Sequence, residues 1–176
     1  MKNYLKMTLI AAMAIPMLFS LPSCNKDEHQ EEPPKKEKTY KGSFRLTYVA
    51  SADLLAVADI KISYNDETEK LVTETVTTTQ WTKKVIYKKL PATAGFKIAY
   101  TVKNPLPKDK ATVHLVSKYE GGAFLLDAKT DERISGRPAG GGRNTTVKIE
   151  NVETALKQFN ASKSALIETK GVSEGV

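Results

Sequence analysis

The strongest constraint on this chain is a two-residue hydrophobic period that starts near Tyr40. Phe44, Leu46, Tyr48 and Ala50 alternate with Arg45, Thr47 and Val49. Successive side chains of a strand point to opposite faces of its sheet, so such a segment buries one face and wets the other. The pattern returns in Leu54, Ala56, Ala58, Ile60, Ile62 and Tyr64, and in Trp81, Lys83, Val85 and Tyr87. It returns again in Phe96, Ile98, Tyr100 and Val102, and in Val113, Leu115, Ser117 and Tyr119. Residues 71–79 are rich in Thr and Val, a strand composition. Turn chemistry separates the segments: Asn65-Asp66, the break at Leu90-Pro91, and Asn104-Pro105-Leu106-Pro107. Glu120-Gly121-Gly122 reads as a hairpin turn, with residues 123–128 as the return strand. Residues 135–144 hold Gly136, Pro138 and Gly140-Gly141-Gly142 and read as a flexible loop before a short last strand at 145–149. About eight strands at roughly ten-residue spacing predict a mainly β chain, an antiparallel β-sandwich. One-sided alternation argues against a parallel sheet buried on both faces.

The period then changes. Val152, Ala155, Leu156 and Phe159 fall at i, i+3, i+4 and i+7, an apolar helical stripe. Asn151 suits an N-cap and Glu153 the first turn. The expectation is a C-terminal helix running to about Leu166, stopped near Lys170-Gly171. The sandwich domain with this helix is expected to occupy residues 40–170.

The segment before Tyr40 has another character. Lys2 and Lys6 precede an uncharged apolar run at residues 7–19. This run is shorter than the roughly 20 residues of a membrane span and suits a signal-peptide core. Leu21-Pro22-Ser23-Cys24 follows, and Cys24 is the chain's one cysteine. These four residues resemble the lipobox of bacterial lipoproteins, with Pro22 departing from the usual residue at its most tolerant position. The resemblance implies a signal peptide at residues 1–23, diacylglycerol on the Cys24 thiol and a membrane partnership through that anchor. Two or more acyl chains on one residue hold a protein at a membrane without a spanning helix. The alternative is an ordinary signal peptide with an incidental cysteine.

After Cys24, residues 25–38 contain no aliphatic or aromatic side chain. Such a stretch buries no apolar surface and reads as a disordered tether, so residues 24–39 form the lipidated cysteine and its spacer. Within it Lys26, Asp27 and Glu28 resemble the export signal of surface lipoproteins of the Bacteroidota. That resemblance implies outer-membrane anchoring with display on the cell surface; the periplasmic face is the alternative. The run from Asp53 to Ile60, then Tyr64, Trp81-Thr82-Lys83 and the stretch from Leu90 to Phe96 resemble small uncharacterised Bacteroidota lipoproteins. These carry an immunoglobulin-like or fibronectin-like sandwich after a lipobox. The likeness covers about residues 1–105 and carries no catalytic residue with it.

Composition limits the chemistry. The chain of 176 residues has a formal net charge of +7, one Cys and two His. One cysteine forms no intramolecular disulfide, and no Cys cluster for a metal is available. His114 lies on a strand face opposite Val113 and Leu115 with no ligand-spaced partner, and His29 lies in the tether. Nucleophilic catalysis needs a base beside a Ser or Cys, and these residues supply no such pair. Asp53 and Asp59, read as one strand, stand roughly 20 Å apart, too far for joint acid–base work. Asp127, Asp131 and Glu132 lack the spacing of a calcium loop. The glycines at 136 and 140–142 lack the Lys-Ser/Thr and helix of a phosphate loop. Trp81 is the most tempting ligand platform, since aromatic rings dominate binding hot spots. Its parity with Val85 and Tyr87 instead places it on the inward row. Lys83, Lys84, Lys88 and Lys89 read as a solvated basic stretch that deters edge aggregation. The resulting expectation is a non-enzymatic module, with no cofactor, no metal and no nucleic-acid partner. It would bind a glycan or an envelope protein, or else serve as a structural or adhesion subunit of a cell-surface assembly.

Overall fold

The computed structural model describes residues 38–175. Its strands are β1 (Tyr40–Ala50), β2 (Ala58–Asn65), β3 (Leu71–Val76), β4 (Gln80–Tyr87), β5 (Ala92–Val102), β6 (Thr112–Asp127), β7 (Arg133–Lys148), β8 (Ala161–Glu168) and β9 (Gly171–Glu174). Two short helices interrupt them, α1 (Ala52–Val57) and α2 (Val152–Leu156). One sheet has the order β4-β1-β6-β7 and the other β3-β2-β5-β8-β9, and every neighbouring pair is antiparallel. The chain is therefore mainly β, with two antiparallel sheets in a sandwich-like arrangement.

The alternation seen in the sequence is what joins the layers. Leu46 and Tyr48 of β1, Ile60 and Ile62 of β2, Ile98 of β5 and Leu115 of β6 are each sealed from solvent in a single core. A hydroxyl chain crosses that core. The Tyr100 hydroxyl lies 2.6 Å from Ser117 Oγ and 3.2 Å from the Tyr48 hydroxyl. Ser117 is buried and satisfied by this contact, as a polar group in an apolar layer must be. Burial pushes both tyrosine hydroxyls above the ordinary phenol range, so they serve as neutral hydrogen-bonding groups.

Several sequence expectations are corrected. Leu54 and Ala56 do not open β2; they lie in α1. Ser51 caps that helix, its Oγ accepting from the Leu54 N–H at 3.1 Å, with Asp53 in the first turn. The buried pair is Leu54 and Val57, three apart, which is helical spacing. Asp53 and Asp59 thus belong to different elements.

Glu120-Gly121-Gly122 is no turn. It lies inside the 16-residue strand β6. A Cβ on Gly121 would stand 1.9 Å from the Arg45 carbonyl oxygen, and Gly122 has φ +149°. The glycines admit the close approach of β1 and the positive φ while pairing continues. The expected loop at 135–144 is the middle of β7, paired to β6 along its length.

The expected long C-terminal helix is also corrected. The stripe Val152, Leu156 and Phe159 is buried, but the helix ends at Leu156. The chain then re-enters the sheet as β8, where Ala165 and Ile167 are buried at period two. β8 supplies the second neighbour of β5, and β9 runs to Glu174, past the expected domain end at residue 170. No described helix is long and apolar enough to cross a membrane.

Candidate functional site

Two edges of the sandwich gather the polar side chains that face inward. At the first, the chain passes directly from β3 in one sheet to β4 in the other. Glu74 of β3 takes three donors there. Lys83 Nζ stands 2.7 Å from Oε1, the Tyr64 hydroxyl 2.5 Å from Oε1, and Trp81 Nε1 3.0 Å from Oε2. The Lys83 ammonium also sits 4.8 Å from the centre of the Tyr64 ring, and the Tyr64 and Trp81 rings pack at 6.1 Å. Lys83 and Tyr64 beside the carboxylate hold Glu74 down at about 2. Glu74 and then Tyr64 raise Lys83, while burial and then Glu74 raise Tyr64.

Trp81 is half-buried and packed against the core, with its N–H committed to Glu74. Its inward parity matches the sequence reading, but its indole is neither sealed nor offered flat to a ligand. Lys83 is not simply a head group in water; it closes the edge.

At the opposite edge the two layers part. A cleft of about 200 Å³ lies between β1, β6 and β7 on one side and β5, β8 and β9 on the other. Phe44, Phe96, Ala94 and Ala123 form its buried floor. Arg137 of β7, Lys163 of β8 and Glu174 of β9 stand at its rim, and Arg137 Nη2 meets Glu174 Oε2 at 2.6 Å. An apolar floor with two cations and one carboxylate suits a side chain or small group carrying negative charge. These rim residues escape the sequence reading because they fall in segments taken as loop, helix and tail. The period of Lys163, Ala165 and Ile167 is the signal that would have placed one of them.

The remaining candidates have structural employment. Asp53 pairs with Lys110 and accepts from the His114 N–H at 2.8 Å, and Lys110 first, then this N–H, hold its carboxyl below the usual range. His114 is exposed, its Nδ1 3.0 Å from Thr146 Oγ1. Asp127 Oδ1 accepts from the N–H groups of Lys129 and Thr130 at 2.8 and 3.0 Å, and Asp131 pairs with Lys41 at 2.5 Å. This is a self-capped turn. Among the described residues, no group of three or more His, Cys, Asp or Glu is placed to hold a metal ion. Cys24, Lys26, Asp27 and Glu28, the expected attachment and export residues, lie outside the described residues. No protein-family model, curated protein or solved structure matches this chain.

Proposed function

We propose that this chain is an outer-membrane lipoprotein, anchored through Cys24 and displayed on the cell surface. Its immunoglobulin-like sandwich binds a protein or glycan partner without catalysis. The observation that carries the reading is the placement of the one cysteine: it follows an apolar leader and Leu21-Pro22-Ser23, and a polar spacer separates it from the first strand. The binding role is supported by the charged, apolar-floored cleft at the β7 and β9 edge.

The test is phase partitioning. Wild-type protein is expected in the detergent phase of Triton X-114 and Cys24→Ala in the aqueous phase. A variant that stays with detergent rules out lipidation at this residue. For display, replacing Lys26, Asp27 and Glu28 with Ala is expected to keep lipidation and abolish cleavage by protease added to intact cells. Unchanged cleavage leaves the segment as a spacer only. A second reading, a subunit of a cell-surface assembly, is favoured by the long strand β7 at the end of its sheet. Early elution of the purified protein in size-exclusion chromatography would support it over the first.

A further inference from the structure

The direction of the backbone groups of β7 over residues 138–147 follows from bonds on the far side of β6. The His114 N–H donates to Asp53 Oδ2 at 2.8 Å, and its carbonyl accepts from Ser51 Oγ at 2.8 Å. The Val116 N–H donates to Ser51 Oγ at 3.1 Å, and its carbonyl accepts from the Ser51 N–H at 3.0 Å. Residues two apart in a strand aim their backbone groups the same way. Even-numbered residues in this stretch of β6 therefore face the β1 side, and odd-numbered ones face β7. Their partners on β7, in the pairs Leu115 with Thr145, Ser117 with Arg143 and Tyr119 with Gly141, are the ones bonded inward.

The N–H and C=O groups of Gly140, Gly142, Asn144 and Thr146 consequently point away from the sheet. Pro138 falls in the same outward series, the position where a strand tolerates a residue without an N–H. All four outward residues are exposed, and no described residue bonds to their backbone groups.

The strand also has a sign. Arg133, Arg137, Arg143 and Lys148 lie on β7 and no carboxylate does, though Arg137 pairs with Glu174 of β9 and Lys148 stands 3.8 Å from Glu150. Two copies pairing edge to edge would set these cations against each other, and Pro138 shortens the usable run. Cations and proline on an edge deter such self-pairing. The same cations attract a strand of opposite charge, and the glycines at 140 and 142 leave its approach unobstructed.

We propose that the outward edge of β7, over residues 140–146, accepts an extended acidic segment of a partner protein as an added antiparallel or parallel strand. The proposal rests on the binding-module reading and names its partner class. Backbone bonding to Gly140, Gly142, Asn144 and Thr146 would supply affinity, and Arg143, the one cation in this run, whose Nε donates to the Gln158 carbonyl at 2.9 Å, would supply selectivity for acid through its remaining N–H groups.

The test uses the full chain purified in detergent and a fluorescent nine-residue peptide of alternating Glu and Val. Controls are the Lys-for-Glu peptide, the Glu peptide N-methylated at every amide, and polygalacturonate. Anisotropy should show the Glu peptide binding at least about tenfold more tightly than either control peptide. Amide exchange by NMR should slow at Gly140, Gly142, Asn144 and Thr146, while Gly141 and Arg143, already bonded to β6, stay as they were. Asn144→Pro removes one outward donor and no ladder bond, and should weaken the peptide about tenfold with unchanged melting. The exchange pattern needs no variant, so a poorly folding Asn144→Pro leaves the test intact. Equal binding of the N-methylated peptide overturns strand addition in favour of charge alone. Polygalacturonate protecting the same alternate amides overturns it in favour of a glycan, and protection confined to β4 places the site elsewhere. Each result is independent of Triton X-114 partitioning, so failure here and failure of the anchoring reading are told apart.

Discussion

Glu74→Gln separates charge from shape at the β3 and β4 edge. The amide is nearly isosteric and retains an oxygen to accept from Trp81 Nε1 or Tyr64, but it loses the attraction of Lys83. Holding the carboxyl at about 2 in place of its ordinary 4.5 corresponds to an upper bound of about 3.4 kcal/mol, at roughly 1.36 kcal/mol per pH unit. The Glu74 and Lys83 side chains are 35% and 34% exposed, so solvent screens much of this, and about 1–2 kcal/mol is the expected cost at pH 7. With an m-value of about 1.5–2 kcal/mol per molar urea, the midpoint should fall by about 0.5–1 M.

The sign with pH follows from the depressed carboxyl. Its stabilisation is complete above about 4.5 and is lost as pH falls toward about 2. The gap between wild type and Glu74→Gln should therefore be widest at pH 6–7 and should close steadily below about pH 4.5. Asp53, Asp66, Asp127 and Asp131 are also held low, but both proteins share them and they drop out of the difference. Urea unfolding followed by circular dichroism, with Trp81 emission as a second probe, measures the gap. A difference below about 0.3 kcal/mol at pH 7, or one as large at pH 3 as at pH 7, would refute the electrostatic account of this edge.

Other outcomes follow from the core. Gly121→Ala places a Cβ against the Arg45 carbonyl and should cost about 3 kcal/mol or more, read by thermal melting. Gly140→Ala, whose Cβ would find its nearest neighbour at 3.7 Å, should change stability by no more than about 0.5 kcal/mol. Ser117→Ala removes one end of the buried hydroxyl chain and should cost about 1–2 kcal/mol. Combined with Tyr100→Phe in a double-mutant cycle, its cost should be clearly less than additive, because the two residues share one bond.

The parts of the fold that were legible are those with one wet face. Phe44, Leu46 and Tyr48, and Ile60 and Ile62, announce their parity because polar neighbours alternate with them. β7 carries no such signal: most of it is exposed on both faces, and its pairing comes from the template of β6. β8 was obscured by composition. Ala, Lys and Leu are good helix formers, and Leu166 falls seven residues after Phe159, extending the apparent helical stripe. At α1 the information was present in Ser51, Asp53, Leu54 and Val57 but was overridden by the longer period-two run that follows. The cleft rim was illegible for a different reason. Arg137, Lys163 and Glu174 come from three strands whose mutual pairing no local pattern encodes.

The two polar edges solve the same physical problem in opposite ways. A sandwich must end, and inward-facing positions at its margin are half in water. At β3 and β4 the sequence fills them with Glu74, Lys83, Trp81 and Tyr64, which satisfy one another and seal the layers. The side chains of this margin bond chiefly to one another, although β3 and β4 are themselves the terminal strands of their sheets. At β7 and β9 the margin holds one ion pair, a further cation in Lys163 and an edge strand whose alternate backbone groups are unbonded among the described residues. Unsatisfied groups are tolerable only where water or another molecule completes them. The proposed binding role rests on this second margin, whereas Trp81, the residue most conspicuous in the sequence, has its N–H committed to Glu74 at the first.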